Sequence, residues 1–240
     1  MIQCLQALCS QSERQYPMIK TLIFDVYDTI IQVKSGGSAE IVRAHLLKNG
    51  FETDKEEFHA LWGRYYRAAE LEEGFRFEQQ MFRDRIAWLF GHYGCMADPA
   101  PAYDATLAEA LKRVPYPESR AAIDALRRKY RVVIGSNTDD FLMYHHLAKD
   151  GIEADAYYTS ESLRCYKPKP EFYRAILKAE GIEPSEAVFI GDSLNEDVKT
   201  PLALGMHAIW VNRKKPHQDI GQDATVNDLM QLESVLDSLV

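Results

Sequence analysis

The segment Thr21-Leu22-Ile23-Phe24-Asp25-Val26-Tyr27-Asp28-Thr29-Ile30-Ile31 constrains this chain more than any other. A short run rich in β-branched and aromatic side chains stops abruptly at Asp25, so it reads as a buried strand that delivers a carboxylate to its C-terminal tip. In an open α/β sheet that tip is where ligands bind. Asp25 by itself has two readings, a capping residue in a loop or a nucleophile, and the rest of the chain must choose between them.

With 240 residues, 46% of them hydrophobic, the chain can bury one core or divide into a main domain and a smaller one. The formal net charge of -8 offers no basic footprint for a phosphate backbone, which argues against nucleic acid and acidic membrane as partners. No apolar run approaches the ~20 residues of a membrane span. Cys4, Cys9, Cys95 and Cys165 form no CxxC pair and have no histidine at zinc spacing, which suits a reducing cytoplasm. Residues 1–17 lack the basic start and long apolar centre of a signal peptide. They are expected to be a disordered extension ahead of Met18.

Beyond Ile31 the glycines of Val33-Lys34-Ser35-Gly36-Gly37-Ser38 allow a turn out of the first domain. Strand patterns then cease. Helices are predicted over Ala39–Asn49, Asp54–Glu73, Phe77–Tyr93 and Ala102–Lys112, with Thr53 and Glu56 at capping-box spacing before the second. Trp62, Phe82, Trp88 and the other aromatic residues here read as the core of a small domain. Arg64 and Arg67 on the second helix could reach a substrate anion, but a solvated helix face is the better reading of them. Val114-Pro115-Tyr116-Pro117 is extended by its prolines and carries the chain back. Helix and strand then alternate, with strands predicted at Arg131–Ser136, Ala156–Ser160, Ala187–Gly191 and His207–Val211, the pattern of a mostly parallel sheet with helices on both faces. The intended division is 18–33 with 115–240 as an α/β core and 34–114 as a helical cap.

Three further constellations fall at strand ends. Ser136-Asn137 closes one strand with a hydroxyl and an amide, which can donate to phosphoryl or carboxylate oxygens, or cap the next helix. Lys167, between Tyr166 and Pro168, has a restricted backbone that favours an aimed ammonium, where an isolated lysine would be surface charge. Gly191-Asp192 ends the third strand, and with Asp197 five residues on it could hold a hard cation through oxygen ligands, or serve as loop and helix-start chemistry.

The order Asp25, Ser136, Lys167, Asp192 on successive strand ends resembles the haloacid dehalogenase-like hydrolase superfamily, from about Met18 to the C-terminus. The resemblance implies a Rossmann-like parallel-sheet core with an all-helical cap domain, and a small-molecule substrate. It implies that Asp25 attacks to form an aspartyl intermediate, that Mg²⁺ is held by Asp25, the Tyr27 backbone carbonyl and Asp192, and that Ser136, Asn137 and Lys167 bind the substrate. Lys167 also restrains the nucleophile, while Thr29 and Asp197 support the shell.

The chain departs from the family pattern at Tyr27, where phosphatases of this superfamily place a second aspartate as acid and base. A phenol with a reference pKa near ~10 is a poor substitute. Asp28 is adjacent, but strand alternation would turn it to the other face. A tyrosine here is similar to the 2-haloacid dehalogenases, which need neither that proton nor a metal, and Arg64 is the candidate for their halide-binding arginine. Asp192 argues the other way, since a bare carboxylate there would repel a haloacid. The reading is therefore a Mg²⁺-dependent phosphatase first, a 2-haloacid dehalogenase second, and a non-catalytic binding protein on the same scaffold third. His145 and His146 read as packing or surface residues, and residues 223–239 as a last strand and helix.

Overall fold

A computed structural model describes residues 19–34, 36–70, 74–213 and 216–239, so the expected extension over 1–17 lies outside the described residues. Strand β1 (Thr21–Phe24) leads to four helices, α1 (Gly37–Lys48), α2 (Lys55–Glu70), α3 (Glu78–His92) and α4 (Ala100–Ala110). After α5 (Ser119–Leu126) the chain alternates through β2 (Arg131–Ser136), α6 (Asp140–Lys149), β3 (Ala156–Thr159), α7 (Ser160–Leu163), α8 (Pro170–Glu180) and β4 (Ala187–Gly191). A π-helical turn over Leu194–Lys199 and α9 (Thr200–Ala203) precede β5 (His207–Val211), β6 (Ala224–Val226) and α10 (Leu232–Asp237).

The six strands form one sheet in the order β3-β2-β1-β4-β5-β6, and every neighbouring pair is parallel. The two-residue periodicity of the strands divides its side chains between two cores. Leu22, Phe24, Val132, Ile134, Val188 and Ile190 pack on one face with Ile123 of α5 and Leu232 and Leu236 of α10. Ile23, Val133 and Phe189 pack on the other with Phe172, Tyr173 and Ile176 of α8. The strand order reverses beside β1, between β2 and β4, which opens a crevice at the C-terminal end of β1. Asp25 stands at that crevice.

The four helices after β1 have a core of their own, built from Val42, Leu46, Phe58, Ile86, Leu89 and Phe90, with Trp62 and Phe82 against it. The chain leaves and returns through a narrow neck. Ile31 and Pro115 form an antiparallel bridge, and the Gln32 and Tyr116 N–H groups donate to the Val114 and Ile30 carbonyls, each at 2.9 Å.

Several local expectations need correction. The cap of α2 is Asp54, whose Oδ1 accepts the Glu57 N–H at 2.8 Å, while the Thr53 hydroxyl is buried with no hydrogen-bond partner. One residue decides this, since a cap must stand immediately outside the first helical residue. The sequence pattern over Asn195–Leu204 reads as a single helix, and the structure divides it into the π-helical turn and α9. The four residues of α7 were too few to show a helical period, yet Thr159 caps them by accepting the Ser162 N–H at 2.9 Å. No helix among the described residues is long and apolar enough to cross a membrane.

Candidate active site

Parallel pairing of β1 with β4 continues one residue past the strand, where the Asp25 N–H donates to the Ile190 carbonyl at 2.9 Å. The backbone of the carboxylate is therefore fixed by the sheet. Asp25 is 7% exposed. Its Oδ1 accepts from Ser136 Oγ at 2.9 Å and Lys167 Nζ at 2.8 Å, and its Oδ2 from Thr29 Oγ1 at 3.3 Å.

Lys167 is 1% exposed, and its ammonium bridges Asp25 Oδ1 and Asp197 Oδ1, at 2.8 and 2.7 Å. Burial opposes its charge, but the carboxylates of Asp197 and Asp25 hold its pKa well above the ordinary lysine value. Asn137 does not face the cavity with an open amide. Its Nδ2 donates to the Lys167 carbonyl at 3.0 Å and to Glu196 Oε2 at 3.3 Å, and its Oδ1 accepts the Lys167 N–H at 2.7 Å. The amide thus aims the lysine from both sides of its backbone. Asp197 is held in turn by the Ser193 N–H at 2.9 Å, and it fits only because residue 191 is glycine: a Cβ there would lie 2.3 Å from Asp197 Cγ.

Asp192, half-buried at the end of β4, completes an acidic cluster, since carboxylate oxygens of Asp25, Asp192 and Asp197 all lie within 4.8 Å of one another. Three carboxylate groups converging this closely form an oxygen donor set of the kind a hard divalent cation takes. The residues therefore fit Mg²⁺.

Tyr27 points its hydroxyl at Thr138 Oγ1, 3.3 Å away, and at His146 Nδ1, 3.1 Å away. His146 Nε2 sits 2.9 Å from the Ala110 carbonyl, which can only accept. The proton is therefore on Nε2, and Nδ1 accepts from the phenol. Burial lowers the His146 pKa to about 4, keeping the ring neutral, and burial likewise raises the phenol of Tyr27 well above its ordinary value. The hydroxyl is a neutral donor spent on a neutral imidazole. His146, read from sequence as a packing or surface residue, is fully buried and is also the partner of Tyr27. Asp28 departs from the strand-alternation argument, because β1 ends at Phe24 and Asp28 adopts a left-handed conformation with φ 58°. It lines the same cavity as Asp25, with Oδ1 accepting the Val33 N–H at 3.1 Å.

That cavity, about 360 Å³, has the acidic cluster and Ser136 as its floor and Phe82, Tyr103 and Leu107 of α3 and α4 among its walls. Glu78, Gln79 and Arg113 also line it, and none of them was singled out from the sequence. Asp139, fully buried beside them, accepts the Glu78 and Gln79 N–H groups at 2.9 Å each, and so caps α3 from the loop after β2. A long-range cap leaves no local motif. Arg64 is exposed on α2 and does not line the cavity, and the side chain of Arg67 lies outside the described residues.

Residues 19–205 match the family of haloacid dehalogenase-like hydrolases. The chain is 26% identical over 237 residues to glyceraldehyde 3-phosphate phosphatase of Methanocaldococcus jannaschii, covering 92% of this chain and 99% of that one. It is also 26% identical to the (S)-2-haloacid dehalogenase of Xanthobacter autotrophicus, over 73% of this chain and 68% of that one. A crystal structure of an L-2-haloacid dehalogenase superposes with a TM-score of 0.72 at 22% identity, covering 92% of this chain and 99% of the other.

Proposed function

The chain belongs to the haloacid dehalogenase-like hydrolases, and we propose that within them it is a Mg²⁺-dependent phosphatase acting on a small phosphomonoester. The observation that carries this reading is Asp192, whose carboxylate joins those of Asp25 and Asp197 in the oxygen donor set that a hard cation takes. The carboxylate of a haloacid would have to enter beside these three acidic side chains.

In this reading Asp25, the backbone carbonyl of Tyr27 and Asp192 would hold the ion, which would supply positive charge between an anionic nucleophile and an anionic ester. Asp25 attacks phosphorus and forms an aspartyl phosphate that water later hydrolyses. Ser136 Oγ and Lys167 Nζ, already on Asp25 Oδ1, stand where they can donate to the transferring oxygens. Asn137 positions Lys167, while Thr29 and Asp197 hold Asp25 and Lys167. The four helices between the two halves of the core act as a cap that encloses the alcohol part of the ester. Cys95 and Cys165 are free thiols, in keeping with a cytoplasmic enzyme.

A second reading, 2-haloacid dehalogenation, is favoured by Tyr27. Its hydroxyl is held by neutral partners, and halide departure requires no proton. Phosphate release from a panel of small phosphomonoesters separates the two, measured with Mg²⁺ and with chelator and using Asp25→Asn as the blank. Metal-dependent release lost in the variant supports the phosphatase. Chelator-insensitive halide release from 2-haloacids, with no phosphate release, replaces it.

A further inference from the structure

The phosphatase reading leaves a proton without a donor. An alkyl phosphate expels an alkoxide that must be protonated, and the residue two beyond the nucleophile is a phenol already donating to His146. The donor must come from the side of the cavity that holds the ester's alcohol. Ser136 and Lys167 occupy the core side of Asp25, so that alcohol extends toward α3 and α4.

Among the described residues, Glu78 is the single carboxyl that α1 to α4 contribute to the cavity lining. It is the first residue of α3, and its own N–H is fixed by Asp139. We propose that Glu78 is the general acid and base of the reaction, supplied by the helical cap in place of the missing aspartate. This deepens the phosphatase reading and rests on it.

Burial, with the Asp139 carboxylate against it, raises the Glu78 pKa to about 7, while Arg113, Arg85 and the Asp139 N–H pull it back. From the core side the Tyr27 hydroxyl is close enough to feel the charges of Glu78, Arg113 and Asp25. These are the groups that face Glu78. A carboxyl poised near neutrality is suited to giving up a proton and taking it back. Asp28, the other carboxyl near Tyr27, comes from the loop after β1 and not from α1 to α4.

The steps balance. An Asp25 oxygen bonds to phosphorus as the bond from phosphorus to the ester oxygen breaks, and that oxygen takes the Glu78 proton to leave as a neutral alcohol. The Glu78 carboxylate then takes a proton from water as the water oxygen bonds to phosphorus. The bond from phosphorus to Asp25 breaks, its electron pair returns to Asp25, and Glu78 is again an acid.

The test compares an alkyl phosphate with p-nitrophenyl phosphate, whose leaving group needs no proton, using the Mg²⁺-loaded enzyme. In Glu78→Gln, kcat/KM for the alkyl ester falls on the order of 10²- to 10⁴-fold. With the aryl ester the same variant gives a stoichiometric burst of nitrophenolate and then slow turnover, because attack proceeds while water lacks its base. The wild-type enzyme gives an independent readout should the variant misfold: the ratio of alkyl to aryl kcat/KM is level below pH 7 and falls above it, as the acid deprotonates. Equal loss on both esters, no loss on either, or a pH-independent ratio overturns the assignment, as does the same ester-selective loss in Asp28→Asn with Glu78→Gln active. If the wild-type enzyme releases phosphate from neither ester, the phosphatase reading itself falls and takes this step with it. An active wild type with an unaffected Glu78→Gln rejects Glu78 alone.

Discussion

Tyr27→Phe removes one oxygen and leaves the ring in place, which isolates what the phenol contributes. If the phenol is only a wall of the site, phosphate release stays of the same order as wild type. The change instead strips His146 Nδ1 of its donor in a buried setting, and an unsatisfied buried group costs about 1–3 kcal/mol. A lowered guanidinium midpoint with little change in turnover is the expected result, and a large fall in turnover would make the phenol part of the chemistry. His146 also sets an acid limit on stability. Its folded pKa of about 4 lies below the unfolded value near ~6.5, so the unfolded chain binds the extra proton first. Stability attributable to His146 is complete above about pH 6.5 and drains away as pH falls toward 4. Unfolding midpoints at pH 7 and pH 5 should differ in the wild type, and by less in His146→Phe. Asp25 and Asp192 were legible in the sequence because each stands just after a strand end, and Lys167 because it stands just before a proline. Tyr27's partner was not, because a contact across 119 residues has no local trace. Asp28 misled for a related reason: strand geometry was extended four residues beyond the strand, into a turn with positive φ.

Among the elements, α3 depends most on a residue outside itself. Its first turn has no side-chain cap of its own, and Asp139 supplies one from the loop after β2. Asp139→Ala should cost about 0.5–2 kcal/mol and loosen the first turn of α3 in particular. Hydrogen exchange at Glu78 and Gln79 measures this directly, and unchanged protection there would show that Asp139 is not the cap. The order of elements was readable because apolar runs and helical periods alternate strongly after Tyr116. Boundaries failed where one polar residue competes with its neighbour, as at Thr53 and Asp54, or where an element is a single turn, as at Ser160–Leu163. The π-helical turn over Leu194–Lys199 replaces an expected α-helix where the chain must present Asp197 beneath Gly191.

For the molecule as a whole, a cation held by the acidic cluster would add its binding free energy to the stability of the folded chain. Mg²⁺ binding to the folded chain should raise its unfolding temperature, with stabilisation of about 2.7 kcal/mol at one hundred times the dissociation constant. Asp192→Asn should remove most of that shift, and a thermal scan with and without the ion decides it. An equal shift in the variant would place the ion elsewhere.

The neck at Ile31 and Pro115 has a consequence for how such a fold can diversify. Because the chain leaves and re-enters at adjacent points, everything between them is a single closed loop as far as the sheet is concerned. Closure entropy grows only logarithmically with loop length, so doubling that loop would cost only about 0.6 kcal/mol. The segment that walls the cavity can therefore be lengthened, shortened or exchanged almost free of penalty to β1, β2 and β4, provided the exchanged piece keeps a core of its own.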